Sequence, residues 1–393
     1  MSEYIEHDPA GVSIGIVRQQ KVSLAQPPNR LRLEKGTFLN RVDVVYETYG
    51  SLDPDGSNAV LILHALTGGA HAAGIYSASD TKPGWWDIMI GPGKGIDTDR
   101  YFVICTSILG SCMGTTGPPS IDPETGTPFG LRFPLITIGD MVTVQKILLD
   151  HLGIKRLLAV VGGSIGGMQV LEWTVRYPDF IATAIPIATT AKHSALAIAF
   201  NEVARQSIMA DPNWNGGDYY GKARPDTGLA VARMIGHITY LSDSAMRQKF
   251  GRRLQDKEDF SFNFDADFQV ESYLRYQGTK FVERFDANAF LYVTKAADYF
   301  DLGLQHGGGS LVQALAGTQS RFLVISFTSD WLYPPYQSKQ LVKALKKNNR
   351  DVSYCEIEAD WGHDAFLLKN PRMDCMVRSF LASSHEMVKK NAL

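Results

Sequence analysis

The sequence predicts an α/β fold, with a mostly parallel central sheet, helices on both faces and one helical insertion. Three observations predict it. Short apolar and β-branched runs bounded by glycine, proline or aspartate recur along the chain, several of them followed by segments of helical spacing. That alternation stops near residue 192 and resumes only at residue 321. Between residues 157 and 173 an all-apolar strand pattern runs into a glycine-rich turn and then a helix pattern. Strands that alternate with helices need crossover connections, and these cover both faces of a parallel sheet.

In chain order, strands are expected at 43–49, 59–63, 101–106, 157–161, 182–187, 322–327 and 352–357. A helix is expected over 138–152, where Met141, Val144, Ile147 and Leu148 fall on one face and Gly153 closes the run, and another over 168–177, stopped by Pro178. Within the insertion, 194–209 and 227–241 have helical spacing, 211–225 reads as a surface loop, and 248–288 mixes charged and aromatic residues in no strand period. The expected organisation is a core of residues 1–191 and 305–393 with a helical lid of residues 192–304.

Composition limits the function classes. The 393 residues are 45% apolar and 20% charged, enough for a large core, and 39 basic against 41 acidic residues leave a net charge of −2. Nucleic-acid and membrane-surface binders need a concentrated positive field, so neither partner is expected. Four cysteines without a C-x-x-C pair read as free thiols in a reducing compartment. The segment Met1 to Ala10 carries Glu3, Glu6, His7 and Asp8 where a secretory signal would be basic and then apolar, so a cytoplasmic protein is expected.

The chemistry is carried by Gly162-Gly163-Ser164-Ile165-Gly166, placed between the strand and helix patterns. A G-x-S-x-G in that setting reads as a nucleophile elbow, in which small neighbours relieve the crowding of a strained turn. The helix that follows aims backbone N–H groups at any oxyanion formed above the serine. Activating the serine takes a base and an orienting acid, expected in the order Ser, Asp, His. Asp330 lies just past the strand at 322–327 and His363 in the loop past 352–357; Glu358 and Asp360 are rival acids, too near His363 in sequence. The turn after 59–63, with Leu66, is expected to supply the second oxyanion amide beside Ile165. His306-Gly307-Gly308-Gly309 imitates an oxyanion motif but follows the nucleophile, and reads as a flexible hinge. Gly91 to Gly95 breaks the glycine spacings of nucleotide loops, and Lys389 stands where a zinc helix opened by His385-Glu386 needs its second histidine. No metal or tightly bound cofactor is expected.

The strings His64-Ala-Leu-Thr-Gly68, Pro83-Gly-Trp-Trp-Asp87, Ile90-Gly-Pro-Gly-Lys94 with Asp97-Thr98, Leu109-Gly110, Thr116-Gly-Pro118 and Gly162-Gly-Ser-Ile-Gly-Gly-Met-Gln169 closely resemble the homoserine O-acetyltransferase family, over about residues 38 to 381. The resemblance implies an α/β-hydrolase core with a helical lid, a homodimer, and transfer of an acetyl group from acetyl-CoA to L-homoserine. It matches Ser164, Asp330 and His363 to the triad. It also matches Arg233 to the lid residue that holds the substrate carboxylate, Tyr240 to its neighbour and Asp364 to the residue that receives the ammonium. Two positions depart from the family pattern: Ser107 where asparagine is common, and Ile165 where methionine is more usual. Succinyl-transferring relatives tend to carry arginine two residues after the triad aspartate, and Leu332 here favours a neutral acetyl group. The rival readings are succinyl transfer, a serine acceptor, an esterase or peptidase that lets water reach the acyl-enzyme, and a non-catalytic binding protein on the same fold.

Overall fold

A computed structural model describes residues 13–391. Its main sheet has eight strands among the described residues: β1 (Gln20–Leu24), β2 (Val42–Tyr49), β3 (Ala59–Leu63), β4 (Phe102–Thr106), β5 (Leu157–Gly163), β6 (Ile181–Ile187), β7 (Arg321–Phe327) and β8 (Val352–Ile357). Their order across the sheet is β1-β2-β4-β3-β5-β6-β7-β8. Strand β2 is antiparallel to both β1 and β4, and every other pairing is parallel. The seven expected strands are all present, within a residue or two at their ends.

Side chains alternate across the sheet, and the two faces build two cores. Leu61, Leu63 and Val160 pack with Met141 and Leu148 of α1 (Ile138–His151) and with Trp173 of α2 (Ile165–Arg176). Val60, Ile62, Ala159 and Val161 face the other way, onto Trp86 and, near the C-terminus, Val377 and Leu381. β3 and β5 are buried at every position, and so read in sequence as continuous apolar runs. Thr137 caps α1, accepting from the Asp140 amide while the Asp140 carboxylate accepts from the Thr137 amide.

Between β6 and β7 the chain forms α3 (Ala195–Met209), α4 (Asp226–Tyr240), α5 (Asp243–Lys249), α6 (Gln269–Val282), α7 (Ala287–Asp298), α8 (Leu302–Gly307) and α9 (Leu311–Ala314). Ala204, Ile208, Leu229, Ala232 and Phe281 give α3, α4 and α6 their own apolar cluster. α7 joins that cluster to the sheet: Ala289 and Phe290 belong to it, and Tyr292, Val293 and Ala296 belong to the sheet core. α10 (Pro335–Lys347) and α11 (Pro371–Asn391) return to the sheet.

Two local expectations change. The segment at His306 is no hinge: Gly308 takes the left-handed conformation (φ 57°) that ends α8, Gly309 N–H donates to Gly303 O at 2.9 Å, and His306 Nε2 lies 2.9 Å from Glu172 Oε1. It is a helix cap tied to α2. The 211–225 loop is anchored as well as exposed, since buried Asp211 accepts from Gly228 N–H at 2.8 Å and buried Tyr219 donates to Asp286 at 2.6 Å.

Candidate active site

Ser164 sits at the junction of β5 and α2 with φ 59° and ψ −124°, a conformation that L-residues avoid. The flanking glycines explain how the turn closes. A Cβ on Gly166 would lie 2.0 Å from Leu63 O, one on Gly162 would lie 2.6 Å from Gly166 C, and one on Gly163 would strike the Phe366 ring at 2.4 Å. Thr189 Oγ1 donates to Ser164 O at 2.7 Å and holds the turn from outside.

His363 Nε2 lies 2.9 Å from Ser164 Oγ, and His363 Nδ1 lies 2.8 Å from Asp330 Oδ2. The other Asp330 oxygen accepts from the amides of Leu332 and Tyr333 at 3.0 and 2.9 Å. All three side chains are buried. Burial pushes the His363 pKa down, yet the charge of Asp330 and its hydrogen bond outweigh that and leave it raised. Because Asp330 only accepts, Nδ1 carries the proton and Nε2 is free to take one from Ser164. Glu358 and Asp360 are exposed, and the Asp360 carbonyl accepts from Ser242 instead.

Leu66 and Ile165 line the same cavity as Ser164. Among the described residues neither amide donates to a backbone carbonyl, so both can serve a developing oxyanion. Behind Leu66, buried His64 holds the turn in place: Nδ1 lies 2.7 Å from Ala65 O, and Nε2 accepts from Ile108 N–H at 3.1 Å. Burial lowers its pKa to about 4, so it is neutral at pH 7. Ser107, one of the two departures noted above, accepts from Ala70 N–H at 3.0 Å and so supports the same turn.

Ser164 lines the inner of two spaces. The inner one, about 50 Å³, is lined by Leu66, Ile165, Tyr240, Leu332 and Tyr333 among others. One water needs roughly 10–15 Å³ by this measure, so the space admits about three or four heavy atoms. The outer one is a cleft of about 790 Å³ that includes Arg233, Lys82, Lys280 and Arg284. Arg233 is buried, its guanidinium 4.9 Å from the Phe281 ring centre and 5.9 Å from that of Tyr240. Asp364 follows His363 directly; burial raises its pKa, while the charges of His363 and Arg233 act to lower it. The expected site residues thus converge, with Arg233 on the cleft side rather than in the inner cavity. Sequence reasoning missed Tyr333, His193, Asn201 and Arg284, which carry no motif; Tyr333 could have been flagged only by its place beside Leu332. Among the described residues no group of three or more His, Cys, Asp or Glu side chains could hold a metal ion.

Residues 58–370 match the alpha/beta hydrolase fold family, and the strand order and the Ser-His-Asp geometry agree, so the chain belongs to that class. A homoserine O-acetyltransferase from Solidesulfovibrio magneticus is 65% identical over 97% of this chain and 96% of its own length. Within the class, the chain belongs to the homoserine O-acetyltransferase family. Among solved structures, the homoserine O-acetyltransferase from Bacillus anthracis superimposes with a TM-score of 0.83 at 31% identity, covering 95% of this chain and 98% of that one. Esterase E22 superimposes with a TM-score of 0.85 at 34% identity, over 93% and 100%.

Proposed function

We propose that the protein moves an acetyl group from acetyl-CoA to the side-chain hydroxyl of L-homoserine, giving O-acetyl-L-homoserine for methionine biosynthesis, through an acetyl-Ser164 intermediate. The observation that carries this reading is the 2.9 Å contact of His363 with Ser164 at the mouth of a cavity of only about 50 Å³. That small space suits an acetyl group, and Leu332 in its lining offers no cation to a succinyl carboxylate.

His363, oriented by Asp330, takes the Ser164 proton as Oγ attacks the thioester carbonyl, and the Leu66 and Ile165 amides stabilise the oxyanion. CoA leaves with the proton from His363. Homoserine then gives its hydroxyl proton to His363 and attacks the acetyl ester, and the proton returns to Ser164 Oγ as the product ester departs. Arg233 holds the homoserine carboxylate and Asp364 its ammonium, with Tyr240 beside them; one fork and one carboxylate orient a zwitterion. Lys82, Lys280 and Arg284, with Glu283 paired to Lys280, give the outer cleft cations suited to the phosphates of CoA, for which the sequence held no signal. The insertion of residues 192–304, which includes helices α3 to α7, acts as the lid and excludes water from the acetyl-enzyme. The enzyme needs no tightly bound cofactor, and four free thiols fit a reducing cytoplasm.

The likeness to esterase E22 favours hydrolysis as the second reading. One panel separates the two: acetyl-CoA or succinyl-CoA as donor, with homoserine, serine or water as acceptor. CoA release that depends on homoserine, ping-pong kinetics and loss of activity in Ser164→Ala are expected. Acetate release at the same rate with and without homoserine identifies an esterase, and activity that survives Ser164→Ala refutes the mechanism.

A further inference from the structure

A second Asp-His pair reaches the inner cavity, whose lining includes His193 and Tyr333. His193 lies just beyond β6; its Nδ1 is 3.2 Å from Asp298 Oδ1, and its Nε2 is 3.1 Å from the Tyr333 hydroxyl. His193, Asp298 and Tyr333 are all nearly shut off from solvent. Asp298 also accepts from Asn201 at 2.8 Å, and Arg205 lies 2.7 Å from its Oδ2 as an ion pair not aligned for a hydrogen bond. Burial pushes the Asp298 pKa up, but His193, Asn201 and Arg205 outweigh it and hold the group ionised.

Hydrogen-bond accounting then orients the Tyr333 proton. An ionised Asp298 only accepts, so the ring proton that His193 shares with it sits on Nδ1. Nε2 is left with a lone pair and accepts the Tyr333 O–H. The Tyr333 oxygen is therefore turned with its lone pairs toward the cavity whose lining it shares with Ser164. Its backbone amide is bonded to Asp330, which fixes where the ring stands.

We propose that Tyr333 is a specificity-determining residue of the acyl pocket, kept as a hydrogen-bond acceptor by the positioning pair His193 and Asp298. The inference rests on the reading of Ser164 as the acylated residue. An acyl carbonyl entering the cavity meets the backbone donors of Leu66 and Ile165, which orient it for attack. An acyl chain that ends in a carboxylate meets lone pairs at Tyr333, and is rejected. Leu332 withholds a cation from such a chain, while Tyr333 withholds a donor.

The test uses two activated esters, p-nitrophenyl acetate and mono-p-nitrophenyl succinate, and reads the burst of nitrophenol as Ser164 acylates. This needs neither CoA nor homoserine. In Asp298→Asn the new amide donates to His193 Nδ1 and moves the ring proton to Nε2. In His193→Leu the acceptor is gone. Both changes free the Tyr333 O–H to turn into the cavity, so the acetyl-to-succinyl acylation ratio is expected to fall roughly tenfold, the scale of one hydrogen bond to a charged group. Combined with Tyr333→Phe, neither substitution should move the ratio from that of Tyr333→Phe alone. A misfolded fraction lowers both esters equally and leaves the ratio intact. A ratio unmoved in both variants, or an equal shift that persists with Tyr333→Phe, overturns the proposal. Absence of a burst in the wild type overturns the acyl-enzyme reading beneath it, whereas a normal burst without transfer to homoserine overturns only the acceptor.

Discussion

In the proposed mechanism His363 acts as a base only when neutral, and Asp330 raises its pKa above the ordinary imidazole value of 6.5. The acylation rate is therefore expected to fall as pH drops through a value above 6.5, read from the pH profile of the nitrophenol burst. Asp330→Asn should move that limb to lower pH and cut the rate by about 10³- to 10⁴-fold, since the ring loses its tautomer. The stability consequence has the opposite sense: the folded state holds this proton more tightly than the unfolded chain, so the stabilisation is fully present below the unfolded pKa and is lost as pH rises through the folded one. His64 reverses the sign. Its pKa falls to about 4 on burial, so the unfolded chain takes up a proton at pH values where the folded protein does not. Its share of stability is fully present above about pH 6.5 and is lost toward pH 4, amounting to roughly 3 kcal/mol. Urea unfolding at pH 7.5 and pH 5 should show a drop that shrinks in His64→Gln; an equal drop in the variant sinks the assignment. The triad was legible from sequence because each member stands at a strand end in a fixed order. The Asp298-His193-Tyr333 arrangement was not, because its members come from α7, the connection from β6 to α3 and the loop after β7, and only packing brings them together.

At the scale of elements, the elbow and the cap of α8 make contrasting demands on glycine. Gly166→Ala would drive a methyl to 2.0 Å from Leu63 O, between β3 and α2, and backbone on both sides leaves nothing to yield. Loss of the acylation burst with a fall of several degrees in Tm is expected. At Gly308 a Cβ meets nothing within 4 Å, and only the φ of 57° opposes it. Gly308→Ala should cost about 1 kcal/mol, measured by thermal unfolding, with kcat unchanged; a hinge would show the reverse, an altered kcat. Central strands such as β3 and β5 were readable because burial on both faces writes a continuous apolar run. The edge strand β1 was missed: in its sequence, QKVSL, only Leu24 is buried, and it is set by pairing with β2 rather than by its own pattern. α6 was missed for a related reason. Its mean hydropathy is slightly polar and it buries only Gln277, Gly278 and Phe281, so charged and aromatic residues hide the helical period.

For the whole molecule, the helical insertion leaves apolar surface that its own packing does not cover. Leu196 and Val203 on α3 are 49% and 57% exposed, and Val231 and Ile238 on α4 are 39% and 44% exposed. Each pair is separated by seven residues, which is two helical turns, so each helix presents an apolar stripe to the outside. α3 and α4 pack on each other, and two such stripes side by side form the kind of face that a second copy buries by two-fold symmetry. The homodimer implied by the family resemblance is accordingly proposed to form through these two helices, which would clamp the lid above Ser164 from outside. Since all four side chains already meet water in the isolated chain, charging them should leave the fold intact. Val203→Asp with Ile238→Asp is expected to halve the mass seen by light scattering while leaving circular dichroism unchanged. If the dimer carries the lid, the double variant should also release more acetate per homoserine acetylated, because a loosened lid admits water to the acetyl-enzyme. A wild-type mass of one chain, or a dimer that survives both aspartates, removes this face from consideration.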